Sequence, residues 1–199
     1  MISLIDTDGD CVLHEKFLAR ACADDFFERI RERAVWRRPK LRMFGRTLRA
    51  PRLAAWHGDA GARYAYSGAL HLPRPWFGEL RELRARIEAH TGARFNSVLL
   101  NYYRDGDDAL GWHSDDEPEL APGAPIASLS LGAPRRFLLR HKRRKDLACA
   151  VELRHGALLV MRGETQTHWR HALPRTKRPV GARINLTFRR IESGARRCA

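Results

Sequence analysis

Ile126-Ala127-Ser128-Leu129-Ser130-Leu131, the connection Gly132-Ala133-Pro134, and Arg135-Arg136-Phe137-Leu138-Leu139-Arg140 decide the fold class. Two short apolar-rich runs flank a Gly/Pro break, and the first partly alternates. That is the pattern of neighbouring strands, not of a helix. Outward from this stretch the same pattern repeats at 64–70, 97–103, 148–153, 157–161 and 183–190, with turn residues at Arg104-Asp105-Gly106 and His155-Gly156. Regular short strands with turn signals mean a sandwich, jelly roll or barrel. Two helices are expected ahead of most of them. Residues 17–33 carry Phe17, Cys22, Phe26 and Ile30 at helical spacing; residues 76–90 carry Trp76, Leu80, Leu83 and Ile87 and stop at Thr91-Gly92. The expectation is a mainly-β (α+β) domain with N-terminal helices packed on it.

The 199 residues are 44% hydrophobic and 30% charged, a globular composition that can bury a core as one domain with a modest extension. No apolar run approaches the roughly 20 residues of a membrane span, so no membrane partner is expected. The first residues lack a basic region followed by an apolar stretch, so no secretory signal is expected. The four cysteines, Cys11, Cys22, Cys149 and Cys198, form no C-x-x-C pair, which reads as a reduced, cytoplasmic chain. Abundant Arg and Ala suggest GC-rich coding and a bacterial source.

Lys and Arg number 37 against 23 Asp and Glu, a net charge of +14. The excess is segregated. Residues 29–52 hold ten bases and one acid, Glu32; residues 135–145 and 170–190 hold seven bases each and no acid. Residues 105–119 hold seven acids and no base. Basic segments set against one acidic segment suggest a polyanion partner around a cation or acid–base centre.

The acidic segment contains Trp112-His113-Ser114-Asp115-Asp116-Glu117. In extended backbone His113 and Asp115 share a face, and both are first-row metal ligands. Two His and one carboxylate with open positions is the arrangement of non-haem Fe(II) oxygenases. The second His must come from a distant segment: His141, His155, His168 and His171 are candidates, and spacing does not choose between the last two. Arg183-Ile184-Asn185-Leu186-Thr187-Phe188-Arg189 alternates strictly. Its polar face carries two arginines joined by Asn and Thr, a set suited to a small dicarboxylate as well as to solvent. Asn101 and Tyr103 supply further donors on one face.

In their order and combined spacing, Asn101-Tyr102-Tyr103, the His113–Glu117 segment, His171 and Arg183–Arg189 resemble the AlkB family of iron- and 2-oxoglutarate-dependent nucleic-acid dealkylases. The likeness is closer to the animal homologues two and three than to the founding bacterial enzyme, through 96–101 and 125–130. It implies a double-stranded β-helix jelly roll, with 1–35 as extension and helix, 36–192 as the dioxygenase domain (nucleotide recognition within 36–75) and 193–199 as a tail. It makes His113, Asp115 and His171 the ligands of Fe(II), and Asn101, Tyr103, Arg183, Asn185, Thr187 and Arg189 the 2-oxoglutarate site. Arg183 would hold the distal carboxylate and Arg189 the end nearest the metal. With O2, the implied reaction is oxidative demethylation of 1-methyladenine and 3-methylcytosine in DNA, releasing formaldehyde and succinate. RNA, or another substrate of the same oxygenase fold, is the alternative. A monomer is expected.

A target base must be flipped or already single-stranded. The resemblance makes Tyr66 and His113 the faces of the base pocket and Tyr64 its polar lining. Asp116 and Glu117 would read exocyclic amines and suit a cationic base. Phe44, with Gly45 and Arg46, would be a wedge into the base stack. Arg52 would touch the nucleic-acid backbone, and residues 140–145 the undamaged strand.

Overall fold

Ser128 and Ser130 point to one side of their strand and Ala127, Leu129 and Leu131 to the other, and this alternation organises the molecule. The computed structural model describes residues 1–192 except 44, 45, 63, 67 and 68; within 41–46 and 63–71 it describes backbone only. Among the described residues the strands are β1 (Ile2–Ile5), β2 (Asp10–His14), β3 (Lys40–Met43), β4 (Arg46–Arg49), β5 (Leu53–Gly58), β6 (Tyr64–Tyr66), β7 (Ala69–His71), β8 (Ser97–Tyr103), β9 (Leu110–His113), β10 (Ile126–Gly132), β11 (Arg135–His141), β12 (Ala148–Leu153), β13 (Leu158–Arg162), β14 (Trp169–Leu173) and β15 (Arg183–Arg189). The helices are α1 (Arg20–Arg33), α2 (Gly78–Thr91) and the single turn α3 (Thr165–His168).

Two antiparallel sheets face each other. The larger runs β1-β2-β13-β10-β15-β8-β5, the smaller β12-β11-β14-β9. The outer face of the larger sheet buries Leu100, Leu129, Leu131, Ile184, Leu186 and Phe188 beneath Phe26 and Ile30 of α1 and Leu80, Leu83 and Ile87 of α2. Glu79 fastens the two helices, taking Arg29 at 2.5 Å and Arg33 at 3.2 Å. Between the sheets lies a second core of Leu13, Tyr103, Phe137, Leu139, Leu159, Met161 and Trp169. This is the double-stranded β-helix jelly roll with helices packed on one face.

Both long helices form where the apolar spacing predicts them. α2 ends on Gly92 in the left-handed region (φ 70°), as Thr91-Gly92 implied. α1 begins three residues later than the periodicity suggests, because Leu18 is drawn off to donate its N–H to Gly156 O at 3.0 Å. Gly132 is required at its turn: φ is 86°, and a Cβ there would lie 2.4 Å from Ala182 O.

Two strand expectations are corrected. Residues 64–70 are two strands, since β6 pairs antiparallel with β7. The N-terminal residues are also laid into the larger sheet, where β2 pairs with β13 from His14↔Leu158 to Asp10↔Arg162. β1, β2, β5, β9 and β14 are short or broken by Gly and His, so their alternation was too weak to read.

Candidate active site between the sheets

The polar face of β15 is interior, not solvent: Arg183 is 1% exposed, Asn185 8% and Thr187 6%. The reason lies in the neighbouring strands. β8 pairs Arg183 with Tyr103 and Asn185 with Asn101, while β10 pairs Thr187 with Ser128 and Asn185 with Ser130. Three adjacent strands thus turn hydroxyl, amide, phenol and guanidinium groups onto one buried patch. Asn185 Nδ2 donates to Thr187 Oγ1 at 2.8 Å, and Ser128 Oγ donates to Asn185 Oδ1 at 3.0 Å. Asn101 Oδ1 accepts from Arg52 Nε at 2.8 Å.

Arg183 is the unusual member. One Nη donates to Ser130 Oγ and Asn185 Oδ1, both at 2.9 Å, and the guanidinium lies 5.3 Å from the Tyr103 ring centroid. Its Nε is buried without a partner, and no described carboxylate pairs with it. Burial pulls its pKa down to about 10, with Tyr103 opposing and nearby Arg135 adding to the fall. A cation this deep without an acid is costly, so an anion arriving beside it would be strongly bound.

Across the sandwich, β9 and β14 set His113 directly opposite His171. Asp115 follows two residues after His113, and one ligand atom from each of the three lies within 4.8 Å of the others. The imidazole centroids are 4.2 Å apart. Nδ1 of His113 faces Gly111 O at 2.8 Å; a proton on that nitrogen leaves the Nε2 lone pair for a metal. Burial drives the His171 pKa to about 4, keeping the ring neutral as a ligand must be. Burial alone would raise the Asp115 carboxyl, but Arg189, His171 and His113 outweigh it and hold it below the usual range. Arg189 Nη2 donates to Asp115 Oδ1 at 2.5 Å. Gln166 Oε1 accepts the Asp115 N–H at 2.8 Å and Ser114 Oγ donates to Trp169 O, which fixes the ligand loop. Two imidazoles and one carboxylate converging within this distance are the donor set that suits a divalent iron.

The other histidines are committed elsewhere. His141 lies 3.2 Å from Asp8, His155 pairs with Asp24 and accepts the Gly132 N–H, and His168 pairs with Glu164. Asp116 is exposed and ion-paired with Lys142 at 3.3 Å. Lys142 also donates to Gln166 O, so this member of the 140–145 run is tied to the site's rim. Glu117 keeps Oε2 buried without a partner. Both acids line a cavity of about 230 Å³ that reaches Asp115, Gln166 and Arg189. Phe44 and Gly45 lie outside the described residues, as does the 193–199 tail; Arg46, Tyr64 and Tyr66 are placed by backbone alone. Sequence reasoning missed Ser128, Ser130 and Gln166. The two serines had a signal, since they alternate with Leu129 and Leu131; Gln166 had none.

Comparison with known proteins agrees with this geometry. The profile of the 2OG-Fe(II) oxygenase superfamily matches residues 10–189. The chain is 42% identical over 182 residues to the DNA oxidative demethylase ALKBH2 of Homo sapiens, covering 86% of this chain and 70% of that protein. With ALKBH2 of Mus musculus it shares 48% over 159 residues, 76% of this chain and 66% of the relative. With the alpha-ketoglutarate-dependent dioxygenase alkB homolog 3 of Rattus norvegicus it shares 40% over 191 residues, 90% of this chain and 63% of the relative. The solved structure of OsALKBH1 superposes with a TM-score of 0.65 at 20% identity, covering 94% of this chain and 99% of that one, a likeness of fold. No described helix is long and apolar enough to cross a membrane. The chain belongs to the AlkB family of the 2OG-Fe(II) oxygenase superfamily, and is an Fe(II)- and 2-oxoglutarate-dependent dioxygenase.

Proposed function

We propose that the enzyme reverses N-alkylation of bases in DNA, taking the methyl group from 1-methyladenine and 3-methylcytosine and releasing formaldehyde and succinate. One observation carries the substrate class. Asp116 and Glu117 follow the metal-ligand Asp115 directly and wall the cavity beside it, and Glu117 holds a buried oxygen with no partner. A cationic methylated base with an exocyclic amine matches such a wall in charge and hydrogen bonding. The naming of the human and mouse relatives as DNA oxidative demethylases supports the same reading.

Bound iron with 2-oxoglutarate and O2 supplies the oxidation of the methyl group. The chain does the rest. Arg183, unpaired by any described acid, takes the distal carboxylate of the cosubstrate; Asn101, Tyr103, Asn185 and Thr187 orient it. Arg189 holds Asp115 ionised and fixed for the metal. By the family resemblance, Tyr66 and His113 would take the faces of the base, Tyr64 would line its pocket, and Phe44, Gly45 and Arg46 would act as the wedge that opens the stack. Arg52 turns its Nε to Asn101, so it supports the cosubstrate face as well as standing near the nucleic acid. The exposed Arg37, Arg38, Arg49, Arg143, Arg144 and Lys145 provide phosphate contacts that position without reading sequence. Trp112, 39% exposed with Arg140 stacked 4.0 Å over its ring, adds a flat surface at the same rim. The protein acts as a monomer on DNA, with RNA a second arm of the test.

The test is direct. With iron, 2-oxoglutarate and ascorbate, matched single- and double-stranded DNA and RNA carrying either lesion are assayed for base restoration and formaldehyde. Demethylation of DNA is expected; no demethylation of any of them would sink the proposal.

A further inference from the structure

Arg135 opens the second basic segment, yet it is 3% exposed and beyond the reach of any phosphate. Its guanidinium instead faces three backbone carbonyls: Asp105 O at 2.9 Å, Asp108 O at 2.9 Å and Pro174 O at 2.7 Å. Those carbonyls belong to two separate segments. Asp105 and Asp108 lie in the loop that feeds β9 and so His113. Pro174 directly follows β14, which carries His171.

The two strands need such a tie. β14 is held to β11 by four consecutive pairs, but to β9 only by His171↔His113 and Leu173↔Leu110, with the register broken between them. β9 is also the edge of its sheet. The metal ligands therefore face each other across the weakest ladder in the sandwich. Arg135 closes the far end of that ladder. It is helped by Thr176, whose N–H donates to Gly106 O at 2.9 Å, and by Arg104, which grips Asp108 through two contacts at 2.7 Å. The same guanidinium lies 5.9 Å from the Tyr103 ring centroid, on a ring that also meets Arg183.

We propose that Arg135 is a positioning residue of the metal centre, spanning the 105–108 loop and Pro174 so that His113 and His171 stay at the separation a single ion requires. A planar fork with several fixed donors suits that span; an ammonium on a flexible stem does not. Partners outside the ligand set commonly change metal affinity by about 10- to 100-fold when removed. The proposal rests on the metal centre, not on the identity of the nucleic-acid substrate.

Cobalt(II) alone is the probe, titrated into the 199-residue chain and followed by calorimetry and by its visible absorption spectrum. Arg135→Met and Arg135→Lys are expected to bind it at least about tenfold more weakly than the unaltered chain, with an altered spectrum. Leu83→Ala, which loosens the helix layer and touches neither strand, is the matched control and is expected to keep affinity and spectrum. In turnover, the 2-oxoglutarate KM should rise in both Arg135 variants while the KM for nucleic acid stays level. Arg135→Lys keeps the test open where Arg135→Met does not fold. Binding by either Arg135 variant within twofold of the unaltered chain would overturn the proposal, and so would an equal loss in Leu83→Ala. An unaltered chain that bound no cobalt would remove the metal centre itself, and the proposal with it.

Discussion

Replacing Arg183 by Met should make the ligand-free protein more stable while weakening its response to 2-oxoglutarate. The guanidinium is wholly buried, and burial is the main reason its pKa falls well below the ordinary guanidinium value, to about 10. At about 1.36 kcal/mol per pH unit, keeping it charged costs folding about 3 kcal/mol. The sign follows from the direction: a base whose folded pKa is depressed destabilises at every pH below about 10, and the cost fades as pH climbs from there toward the ordinary guanidinium value. Met removes that cost and forfeits the hydrogen bonds to Ser130 and Asn185, worth about 1 kcal/mol each. The balance favours Arg183→Met by about 1 kcal/mol, a rise in Tm of about 2–4 °C for a domain of this size. The cosubstrate meanwhile loses a charge-assisted contact of about 3 kcal/mol, so its affinity falls on the order of a hundredfold. The assay is thermal melting of the manganese-loaded protein, with and without 2-oxoglutarate. A variant that melts well below the parent without ligand, or gains as much from 2-oxoglutarate as the parent does, would refute the reasoning.

Metal-free protein should lose stability as pH falls from 6.5 toward about 4, because the unfolded chain takes up a proton that buried His171 refuses. The slope should approach about 1.36 kcal/mol per pH unit within that window and flatten in His171→Asn, read by urea unfolding at several pH values. Asp115→Asn should abolish metal uptake in equilibrium dialysis and lower stability by about 1–2 kcal/mol, since it removes the charge of the buried Asp115–Arg189 contact. Leu83→Ala should cost about 3 kcal/mol by denaturant unfolding and leave the 2-oxoglutarate KM unchanged, because it empties the core on the far side of the larger sheet.

Much of this was legible in the chain because strict alternation and punctuation are local signals. The seven residues of β15 announce two faces, and the structure gives one to the helices and the other to the interior. His113 and Asp115 announce a shared face in the same way. What spacing could not read was pairing at a distance. His168 and His171 look alike in sequence; what separates them is that β14 aligns His171 with His113 and leaves His168 on a helical turn beside Glu164. Arg135 shows the same limit. In sequence it is one more base in a basic run, and its burial depends on carbonyls about 30 and 39 residues away in the chain. The net charge of +14 is correspondingly less available to a polyanion than its sum suggests, since Arg135, Arg183 and Arg189 are spent inside.

The histidines of the metal site stand on the smaller sheet, while Arg183, Asn185 and Thr187 stand on the larger. Asp115 and Arg189 clasp hands across the gap. The oxidant and its fuel are thus housed in two separate walls, and their working distance is a property of the sandwich rather than of either wall.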